Sequence, residues 1–381
     1  MKIKRTVNPE AAGLIKDWGD LGAALGVKTN VMSWVLHERD NMQKKIRLGE
    51  REVYKSAGPL HFIQNRLICM LEPMFNKLEG TEGVIAYRKG VTATDVVKNV
   101  PHARVLVSCD IRHYYDNVTI SHIENCLVQM GMQPLGARLV ARYCVVKKGN
   151  RHTLQQGSPA SPVMSNIVGY FYFDRPIKEW LANHKNVNCT YLRYCDNIAL
   201  FIHNDPPEEF CLEFKAFVKL QLKAHGNFRT HKWNTITDRN PVMHQKFLGI
   251  IVNAEARAEL DAVDSLRAAL FNCLRNGFKN EAERYLTMKG VNLKRRFHGD
   301  SLYTENFKSY LRGHINYVNR VSGKQGSMLK KLFAAAEYMQ DEDNPLISGP
   351  LNDACLCAVK RYRNYNESVN EYLEKIKLSA E

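Results

Sequence analysis

The stretch YLRYCDNIALF, residues 191–201, predicts a β-hairpin whose tight turn carries a carboxylate. Two short apolar runs, at 191–194 and 198–203, flank the turn Cys195-Asp196-Asn197, and such runs on either side of turn residues are typical of paired strands. Asp196 alone does not indicate chemistry, because aspartate is common in β-turns for structural reasons. The stretch therefore predicts local structure and leaves the role of Asp196 open.

A second aspartate ends another apolar run. In VLVSCDIRHYYDNV, residues 105–118, the valine-rich pattern predicts a buried strand over 103–111 that ends near Asp110. A carboxylate at this place is costly to bury without a cation or a partner. An aspartate that caps the following turn is an equally simple explanation, so this segment is also ambiguous by itself.

The third segment, QQGSPASPVMSN at residues 155–166, places Gly157, two prolines and small hydroxyl residues ahead of a helix predicted over 158–181. Such a segment can approach the backbone of a ligand closely, or it can simply begin a helix.

The two aspartates together favour a metal site. Asp110 and Asp196 each follow apolar β structure, and Mg²⁺ accepts carboxylates, waters and substrate phosphates as ligands. Two such ions, roughly 3.5–4 Å apart, stabilise the attacking and leaving oxygens of an in-line displacement, as nucleotidyl transfer requires.

The composition is that of an ordinary folded protein, with 381 residues, 45% of them apolar and 24% charged. No run approaches the roughly 18 apolar residues of a membrane span, and the charged start MKIKR does not resemble a signal peptide. The ten cysteines are scattered, with Cys355 and Cys357 the closest pair, which predicts reduced thiols and no zinc site. We therefore expect a cytoplasmic protein without a membrane segment.

The charge points to nucleic acid. The net charge is +15, and residues 275–331 hold thirteen Lys or Arg against four acidic residues, an excess of nine. A domain this basic usually binds phosphate, because neutralising phosphates releases counterions. A solvated helical face is the alternative explanation of the cluster.

The pattern of apolar residues predicts three regions. Residues 10–80 are predicted to be helical, the centre is mixed, with a helix over 208–225 and a strand over 247–252, and the chain from residue 255 is predicted to be almost entirely helical, with a loop at 347–350.

These segments resemble the palm motifs of reverse transcriptases, particularly the bacterial retron, group II intron and antiphage defence-associated branches. Residues 110–116 (DIRHYYD) resemble motif A, residues 156–162 (QGSPASP) resemble motif B, and YCDN at 194–197 resembles motif C, normally YxDD. The segment AYRKG at 86–90 resembles a fingers motif, residues 247–249 fall at the primer grip, and LRGHINY at 311–317 resembles the thumb pattern. The resemblance covers about residues 50 to 325.

The resemblance implies a role for individual residues. Asp110, the carbonyl of Ile111 and Asp196 would coordinate two Mg²⁺ ions, with Mn²⁺ as a substitute. Tyr115 would be the steric gate against a ribose 2′-hydroxyl, and Lys232 would protonate the leaving pyrophosphate. The remaining residues would contact nucleotide or nucleic acid: Gln156, Gly157, Arg88, Lys89, Arg295, Arg296, Arg312 and Lys324.

Asn197 departs from the motif, because it stands where YxDD has its second aspartate. An amide offers an oxygen ligand but no negative charge, so the hold on Mg²⁺ is weaker. We expect an active enzyme with an altered metal preference; the alternative is a degenerate palm kept as an RNA-binding scaffold.

The resemblance implies an α+β right-hand polymerase fold, with fingers at 1–100, a palm with an antiparallel sheet at 101–254 and a basic helical thumb at 255–381. The implied reaction is synthesis of DNA from dNTPs on a structured non-coding RNA template, in antiphage defence. Template-independent or protein-primed synthesis, with a tyrosine as primer, is the alternative reaction. The sequence does not determine the oligomeric state.

Overall fold

The computed structural model describes residues 7–48, 51–226, 228–240, 242–253, 255–288 and 300–338. The chain divides into two compact units, Met1–Phe247 and Leu248–Glu381. The boundaries at residues 100 and 254 between fingers, palm and thumb remain predictions, and the predicted loop at 347–350 lies outside the described residues. Within the described ranges, no helix has the length and apolar character needed to cross a bilayer.

The described part of the first unit contains more helix than strand. The helix at Gly58–Asn76 shows why helices form: Leu60, Ile63, Leu67 and Leu71 recur at helical spacing, and all four are fully buried. In chain order the helices are α1 (Trp18–Leu25), α2 (Thr29–His37), α3 (Gly58–Asn76), α4 (Ala93–Lys98), α5 (Tyr114–Asn117), α6 (Ile120–Gln129), α7 (Pro134–Cys144), α8 (Ser161–Gly169), α9 (Arg175–Ala182) and α10 (Phe210–Ala224), with 3₁₀ turns at Pro9–Leu14 and Arg39–Met42.

The strands of the chain are short, and four of them form the central sheet. They are β1 (Gln43–Leu48), β2 (Arg51–Ser56), β3 (Val105–Ile111), β4 (Val145–Lys148), β5 (Arg151–Leu154), β6 (Cys189–Tyr194), β7 (Asn197–Ile202), β8 (Thr230–Thr237), β9 (Lys246–Phe247), β10 (Ile250–Ile251) and β11 (Arg257–Ala258). The central sheet has the order β6-β7-β3-β8, and every neighbouring pair in it is antiparallel.

The predicted hairpin and its neighbouring strand are confirmed. Strands β6 and β7 pair with Tyr194 opposite Asn197, so the turn consists of Cys195 and Asp196. Strand β3 is buried at every position except Asp110, which is half-buried. A mixture of helices with an antiparallel sheet is the α+β arrangement that the sequence predicts.

The prediction that residues 10–80 are entirely helical is wrong. Strands β1 and β2 form an antiparallel hairpin inside this region, with Lys45 opposite Tyr54. Half of the residues of the strand QKKIRL are charged and its lysines are exposed, so it lacks the run of apolar residues by which strands are recognised. An ion pair between Lys45 and Glu52, 2.7 Å long, links the two strands.

The helix predicted over 158–181 begins later and is not uniform. It starts at Ser161, runs through α8, continues as a π-helical segment at Tyr170–Asp174 and ends with α9. All five residues of the π-helical segment are buried, including Asp174. Such wide turns inside helices are frequent at functional sites.

The second unit contains a bundle of helices, as the sequence predicts. They are α11 (Leu260–Met288), α12 (Asp300–Val321) and α13 (Gly323–Tyr338). Helix α11 is interrupted at Gly277, where φ is +82°. Phe278 and Phe333 pack with their ring centroids 5.4 Å apart in the core of the bundle. Strands β10 and β11 pair antiparallel before the first helix.

The strand predicted over 247–252 is divided in two. Leu248 and Gly249 both have positive φ, at +51° and +77°, and they separate β9 from β10. A residue in this conformation cannot continue an extended strand.

Candidate active site

Two aspartates that lie 86 positions apart in the chain meet at one end of the central sheet. Asp110 on β3 is paired in register with Asn197 on β7. The Ile111 N–H donates to the carbonyl oxygen of Asp196 over 2.8 Å. Asp110 and Asp196 both line one cleft of about 660 Å³, a volume in the range of small-molecule sites.

Asp110 has an unusual environment. Its Oδ1 atom is buried and has no hydrogen-bond partner, although the side chain as a whole is 40% exposed. The imidazole of His231 lies close by, with Nδ1 3.5 Å from Oδ1, which is too long for a good hydrogen bond. An unsatisfied carboxylate oxygen inside a cleft is suited to a cation.

A β-bulge in β8 brings His231 to the cleft. Cys109 pairs with Trp233 and Ile111 pairs with Thr230, so His231 and Lys232 together oppose the single residue Asp110. Bulges are common beside active sites, where they redirect a side chain. His231 lines the cleft, whereas Lys232 is exposed and is not among the described residues that line it.

The turn that carries Asp196 is strained. Cys195 adopts the left-handed conformation with φ +55°, which is uncommon for a residue other than glycine. The amide Nδ2 of Asn197 donates to Asp196 Oδ1 over 3.1 Å. Two other left-handed residues, Tyr87 and His113, line the cavities of the site, and backbone strain of this kind clusters at functional sites.

A buried ion pair lies directly behind this turn. Arg193 and Asp174 are both fully buried, and Arg193 Nε donates to Asp174 Oδ1 over 2.7 Å while a second nitrogen donates to Oδ2 over 2.8 Å. Tyr191 also donates to this carboxylate over 2.7 Å. The geometry is the two-pronged arrangement in which arginine holds a carboxylate most firmly.

Tyr115 stands between two cavities. It lines the cleft of the aspartates and a second cavity of about 370 Å³. Its hydroxyl lies 3.6 Å from the Cys195 sulfur, and its ring packs edge-on against Tyr114 with centroids 5.9 Å apart. Tyr115 is therefore fixed against the Asp196 turn, with one side towards each cavity.

Tyr87 lies at the second cavity and is 49% exposed. Its ring lies 5.6 Å from that of Tyr194. Burial of the hydroxyl and the nearby Cys195 and Tyr194 raise the pKa of Tyr87 to about 12, so this hydroxyl remains protonated near neutral pH.

The loop 155–160 borders the second cavity and is held by hydrogen bonds. The buried side chain of Gln155 donates to the Tyr54 carbonyl over 2.7 Å and accepts from Gln64 over 3.1 Å. Gly157 has φ +102°, and a Cβ there would lie 3.1 Å from the Tyr54 carbonyl oxygen. Only glycine allows the loop and the β1–β2 hairpin to come this close.

Several charged residues complete the wall of the larger cleft. Lys148 on β4 forms an ion pair with Asp116 and lies 5.5 Å from the ring centroid of Tyr54. Arg112 and His113 also line the cleft. The cleft thus combines the acidic side chains of Glu52, Asp110, Asp116 and Asp196 with the cationic Arg112 and Lys148, which suits an anionic substrate held beside metal ions.

A family model described as reverse transcriptase (RNA-dependent DNA polymerase) matches residues 61–252. This match covers just over half of the 381 residues and includes both aspartates, Tyr115 and the loop of Gly157. The chain belongs to the reverse transcriptase family. It therefore carries the domain of an RNA-directed DNA polymerase, and the predicted fold class is confirmed.

Solved telomerase structures are similar to this reverse transcriptase at low identity. The telomerase of Candida albicans in complex with a TWJ fragment of telomeric RNA is 10% identical, with a TM-score of 0.44, over 82% of this chain and 63% of that chain. The corresponding complex from Candida tropicalis is 10% identical, with a TM-score of 0.41, over 84% and 63%. Apo telomerase from Candida tropicalis, truncated from the C-terminal domain, is 12% identical, with a TM-score of 0.40, over 57% and 54%.

This reverse transcriptase thus spans 54 to 63% of the length of these three structures. Likeness at this level does not extend to activity or partners. No curated protein matches the chain.

The donor atoms fit a divalent metal of the kind that reverse transcriptases use. Asp110 and Asp196 supply hard oxygen ligands, and the unpartnered Asp110 Oδ1 is a ready donor. No group of three or more His, Cys, Asp or Glu side chains forms a metal cage within the described ranges. A pair of carboxylates is enough for Mg²⁺, which usually takes its remaining ligands from water and substrate phosphates.

The structure brings together the site residues that were predicted from motifs A, B and C. One or both cavities are lined by Asp110, Ile111, Tyr115, Gln156, Gly157 and Asp196. Asn197 follows directly as the first residue of β7. The catalytic and binding roles of these residues remain predictions.

Arg88 makes contacts within the protein, and its role as a nucleotide contact stays a prediction. Its guanidinium donates to the Thr81 carbonyl over 2.5 Å and to Asn76 Oδ1 over 3.0 Å, and it lies 5.7 Å from the ring centroid of Phe75. Arg88 therefore supports the loop that precedes Tyr87. The neighbouring Lys89 has an exposed side chain.

The predicted nucleic-acid contacts of the second unit are only partly described. Arg312 forms an ion pair of 2.6 Å with Glu337, and Lys324 is exposed at the start of α13. Arg295 and Arg296 lie outside the described residues.

The sequence analysis did not identify Arg193, Asp174 or His231. The sequence does contain a signal for Arg193 and Asp174, because each is a charged residue inside an otherwise apolar run, YLRY and YFYFD respectively. A charge in such a run predicts a buried partner. His231 has no comparable signal, because its place depends on the bulge in β8.

Proposed function

We propose that this protein copies a structured non-coding RNA into DNA from dNTPs, in the cytoplasm, as part of antiphage defence. The observation that carries the proposal is the meeting of Asp110 and Asp196 in one cleft. Two carboxylates at the end of a rigid sheet are what a two-metal nucleotidyl transfer needs. The antiphage role rests on the resemblance of the motifs alone.

Mg²⁺ is the proposed cofactor, with Mn²⁺ as a substitute. Asp110, Asp196 and the Ile111 carbonyl would hold the ions, which when bound activate the attacking hydroxyl and neutralise the leaving phosphate. Asn197 contributes no charge, so we expect weaker Mg²⁺ binding than a second aspartate would give. Its amide stabilises the orientation of Asp196 by the 3.1 Å hydrogen bond.

Residues around the cavities orient the incoming nucleotide in this proposal. The ring of Tyr115 excludes a ribose 2′-hydroxyl, and Gln156 and Gly157, which line the second cavity, would contact the incoming nucleotide and the template backbone. Lys148 can exchange its contact with Asp116 for a phosphate of the substrate. Holding the reacting groups in place in this way supplies much of the rate acceleration in phosphoryl transfer.

A partner RNA is supported by charge and by one glycine. The net charge is +15, and an RNA helix is recognised mainly by its shape and phosphates. Gly313 lies in the middle of α12 and is exposed, and a Cβ there would meet nothing within 4 Å in the described structure. A glycine that costs helix stability without a packing reason marks a surface that another backbone approaches.

Primer extension tests the proposed reaction. The purified full chain is given a defined RNA template, a DNA primer, dNTPs and Mg²⁺, beside Asp110→Asn and Asp196→Asn. We expect the wild type to make complementary DNA and both variants to lose at least about a thousandfold in rate, since each removes the negative charge of a metal-binding carboxylate. A wild type no more active than Asp110→Asn would refute the proposal and favour the RNA-binding scaffold. Sequencing the RNA that co-purifies with the chain tests the partner, and a random cellular mixture would count against it.

Protein-primed synthesis is the second candidate, and one observation bears on it. Tyr87 is half-exposed and lines the second cavity, which shares Tyr115 and Gln156 with the cleft of the two aspartates. Its raised pKa disfavours the reactive phenolate, so Tyr87 is a weak nucleophile without a base. Mass spectrometry of the protein after incubation with dNTPs separates the candidates, because only protein priming leaves a nucleotide on a tyrosine.

A further inference from the structure

We infer that Arg193 is the positioning residue of the active site, because it joins the Asp196 turn to helix α8 and to Asp174. This inference rests on the proposed function, since it assigns the control of the metal site to a residue that does not touch the metal. Arg193 lies three residues before Asp196, and its side chain is fully buried behind the turn.

The guanidinium of Arg193 holds the strained turn directly. One terminal nitrogen donates to the carbonyl oxygen of Cys195 over 2.8 Å, and the other donates to the carbonyl oxygen of Asn166 over 3.2 Å. Cys195 is the residue with φ +55°, and its carbonyl carbon is bonded to the nitrogen of Asp196. The hydrogen bond therefore stabilises a peptide orientation that the chain would not adopt by itself.

Asp174 keeps this arginine charged and oriented. Burial alone would lower the pKa of Arg193, but the attraction of the Asp174 carboxylate outweighs it and raises the pKa. A fully buried ion pair is weak evidence for stability in general, because desolvation offsets the attraction. The pair is better explained as fixing the orientation of Arg193. Both oxygens of Asp174 accept hydrogen bonds from the guanidinium, so its remaining nitrogen is held towards Cys195.

The rest of Arg193 is tied to the neighbouring loop. Its N–H donates to the Gly83 carbonyl over 2.8 Å, and its carbonyl accepts from the Ile85 N–H over 3.0 Å. Asn166, the second acceptor of the guanidinium, in turn donates to the Ala86 carbonyl over 2.7 Å. Arg193 therefore sets the turn of Asp196 in a fixed relation to the loop that ends at Tyr87.

Gly169 is shaped to receive the guanidinium. A Cβ at this position would lie 2.4 Å from the Arg193 Cζ and 2.6 Å from one of its terminal nitrogens. No side chain fits at that distance, so the last residue of α8 has to be glycine for the arginine to lie where it does. This offers a way to displace Arg193 without removing any of its hydrogen-bonding groups.

Two variants test the inference. Arg193→Lys keeps the charge beside Asp174 but cannot also reach Cys195, and Gly169→Ala pushes the guanidinium away. In primer extension with a series of Mg²⁺ concentrations, we expect each variant to need about tenfold more Mg²⁺ for half-maximal rate, as is typical when the support of a metal ligand is lost. We also expect faster amide hydrogen exchange in the peptide that contains residues 189–200.

Two controls separate positioning from simple destabilisation. Tyr191→Phe removes one hydrogen bond to Asp174 and leaves the contact with Cys195 in place. Val218→Ala lowers stability at a buried position of α10. Both are expected to keep the Mg²⁺ requirement of the wild type, even where the melting temperature falls as much as in the test variants.

The outcomes are distinct. Folded Arg193→Lys and Gly169→Ala proteins with the wild-type Mg²⁺ requirement and wild-type exchange would overturn the inference. If the test variants do not fold, hydrogen exchange in Tyr191→Phe decides the question. Wild-type protection of residues 189–200 would support the inference, because the contact with Cys195 survives in this variant. Loss of that protection would contradict the inference. A wild type that makes no DNA refutes the proposed function instead, and the exchange data still judge the role of Arg193.

Discussion

Asn197 lies opposite Asp110 across two paired strands, where the motif of the family has a second acidic residue. The amide donates to Asp196 Oδ1, so it acts on the remaining carboxylate of the turn by orienting it. A hydrogen bond cannot replace the missing charge, because a divalent ion is attracted by the carboxylate itself. The site accordingly depends on Asp110 and Asp196 more than a site with three carboxylates would.

Tyr115 allows a sharp test of substrate choice at the residue scale. Tyr115→Val would shorten the side chain between the two cavities and leave room for a ribose 2′-hydroxyl. We expect the preference for dNTPs over rNTPs, measured as the ratio of kcat/KM values, to fall by about a hundredfold. Tyr114→Phe, which loses only the hydrogen bond to the Ser165 carbonyl, should keep the preference. An unchanged ratio in Tyr115→Val would show that the gate lies elsewhere.

His231 and Lys232 form a natural pair of test positions. The resemblance assigns the contact with the leaving pyrophosphate to Lys232, but only His231 lines the cleft in the described structure. We therefore expect His231→Ala to lower kcat by at least about tenfold, because a donor to the transition-state charge is lost, whereas Lys232→Ala has a small effect. Rapid-quench measurement of single-nucleotide addition checks this. The opposite ranking would return the role to Lys232.

At the scale of the element, helix α6 carries a pH-sensitive cap. Thr119 and His122 form a capping box, in which the Thr119 N–H donates to Nδ1 of His122 over 3.1 Å. The imidazole must be neutral to accept this hydrogen bond. Burial lowers the pKa of His122 below its ordinary value of 6.5, so the folded state resists protonation.

The sign of the resulting pH effect follows from the lowered pKa. The cap stabilises the folded protein fully above pH 6.5. This stabilisation falls as the pH drops below 6.5, because the unfolded chain binds the proton more readily than the folded protein does. His122→Gln keeps an acceptor at this position of the box but does not titrate. Between pH 7.5 and 5.5 we expect the free energy of unfolding of the variant to fall by about 1 kcal/mol less than that of the wild type, as measured by urea unfolding. Equal losses in both proteins would contradict this account of the cap.

The elements also show what the sequence could predict. Strands β3, β6 and β7 were predictable because each is a largely apolar run that ends at an aspartate or a turn. The β1–β2 hairpin was not, because half of the residues of its first strand are charged, and an ion pair between Lys45 and Glu52 links its strands. The place of His231 was not predictable either, because one extra residue in β8 reverses which side chain faces the cleft.

At the scale of the whole molecule, the second unit can be tested for contact with nucleic acid. Gly313→Leu would place a side chain on the exposed face of α12, and we expect at least about tenfold weaker binding of an RNA–DNA duplex if its backbone approaches there. Gly313→Ala should instead raise the free energy of unfolding by up to about 1 kcal/mol. Ala262→Leu, at an exposed position of α11 outside the basic segment 275–331, is the matched control. Fluorescence anisotropy at a fixed salt concentration measures the binding, and equal affinities of Gly313→Leu and the control would exclude this face.

The proposed DNA synthesis depends on Asp110 and Asp196 sharing divalent ions across one cleft. Mn²⁺ binding by the free protein, followed by electron paramagnetic resonance, tests this without any need for polymerisation. Asp116→Asn is the matched control, because Asp116 lines the same cleft but is paired with Lys148. We predict that Asp110→Asn and Asp196→Asn each weaken Mn²⁺ binding by at least about tenfold while Asp116→Asn binds like the wild type. Wild-type affinity in both of the first two variants would contradict the account.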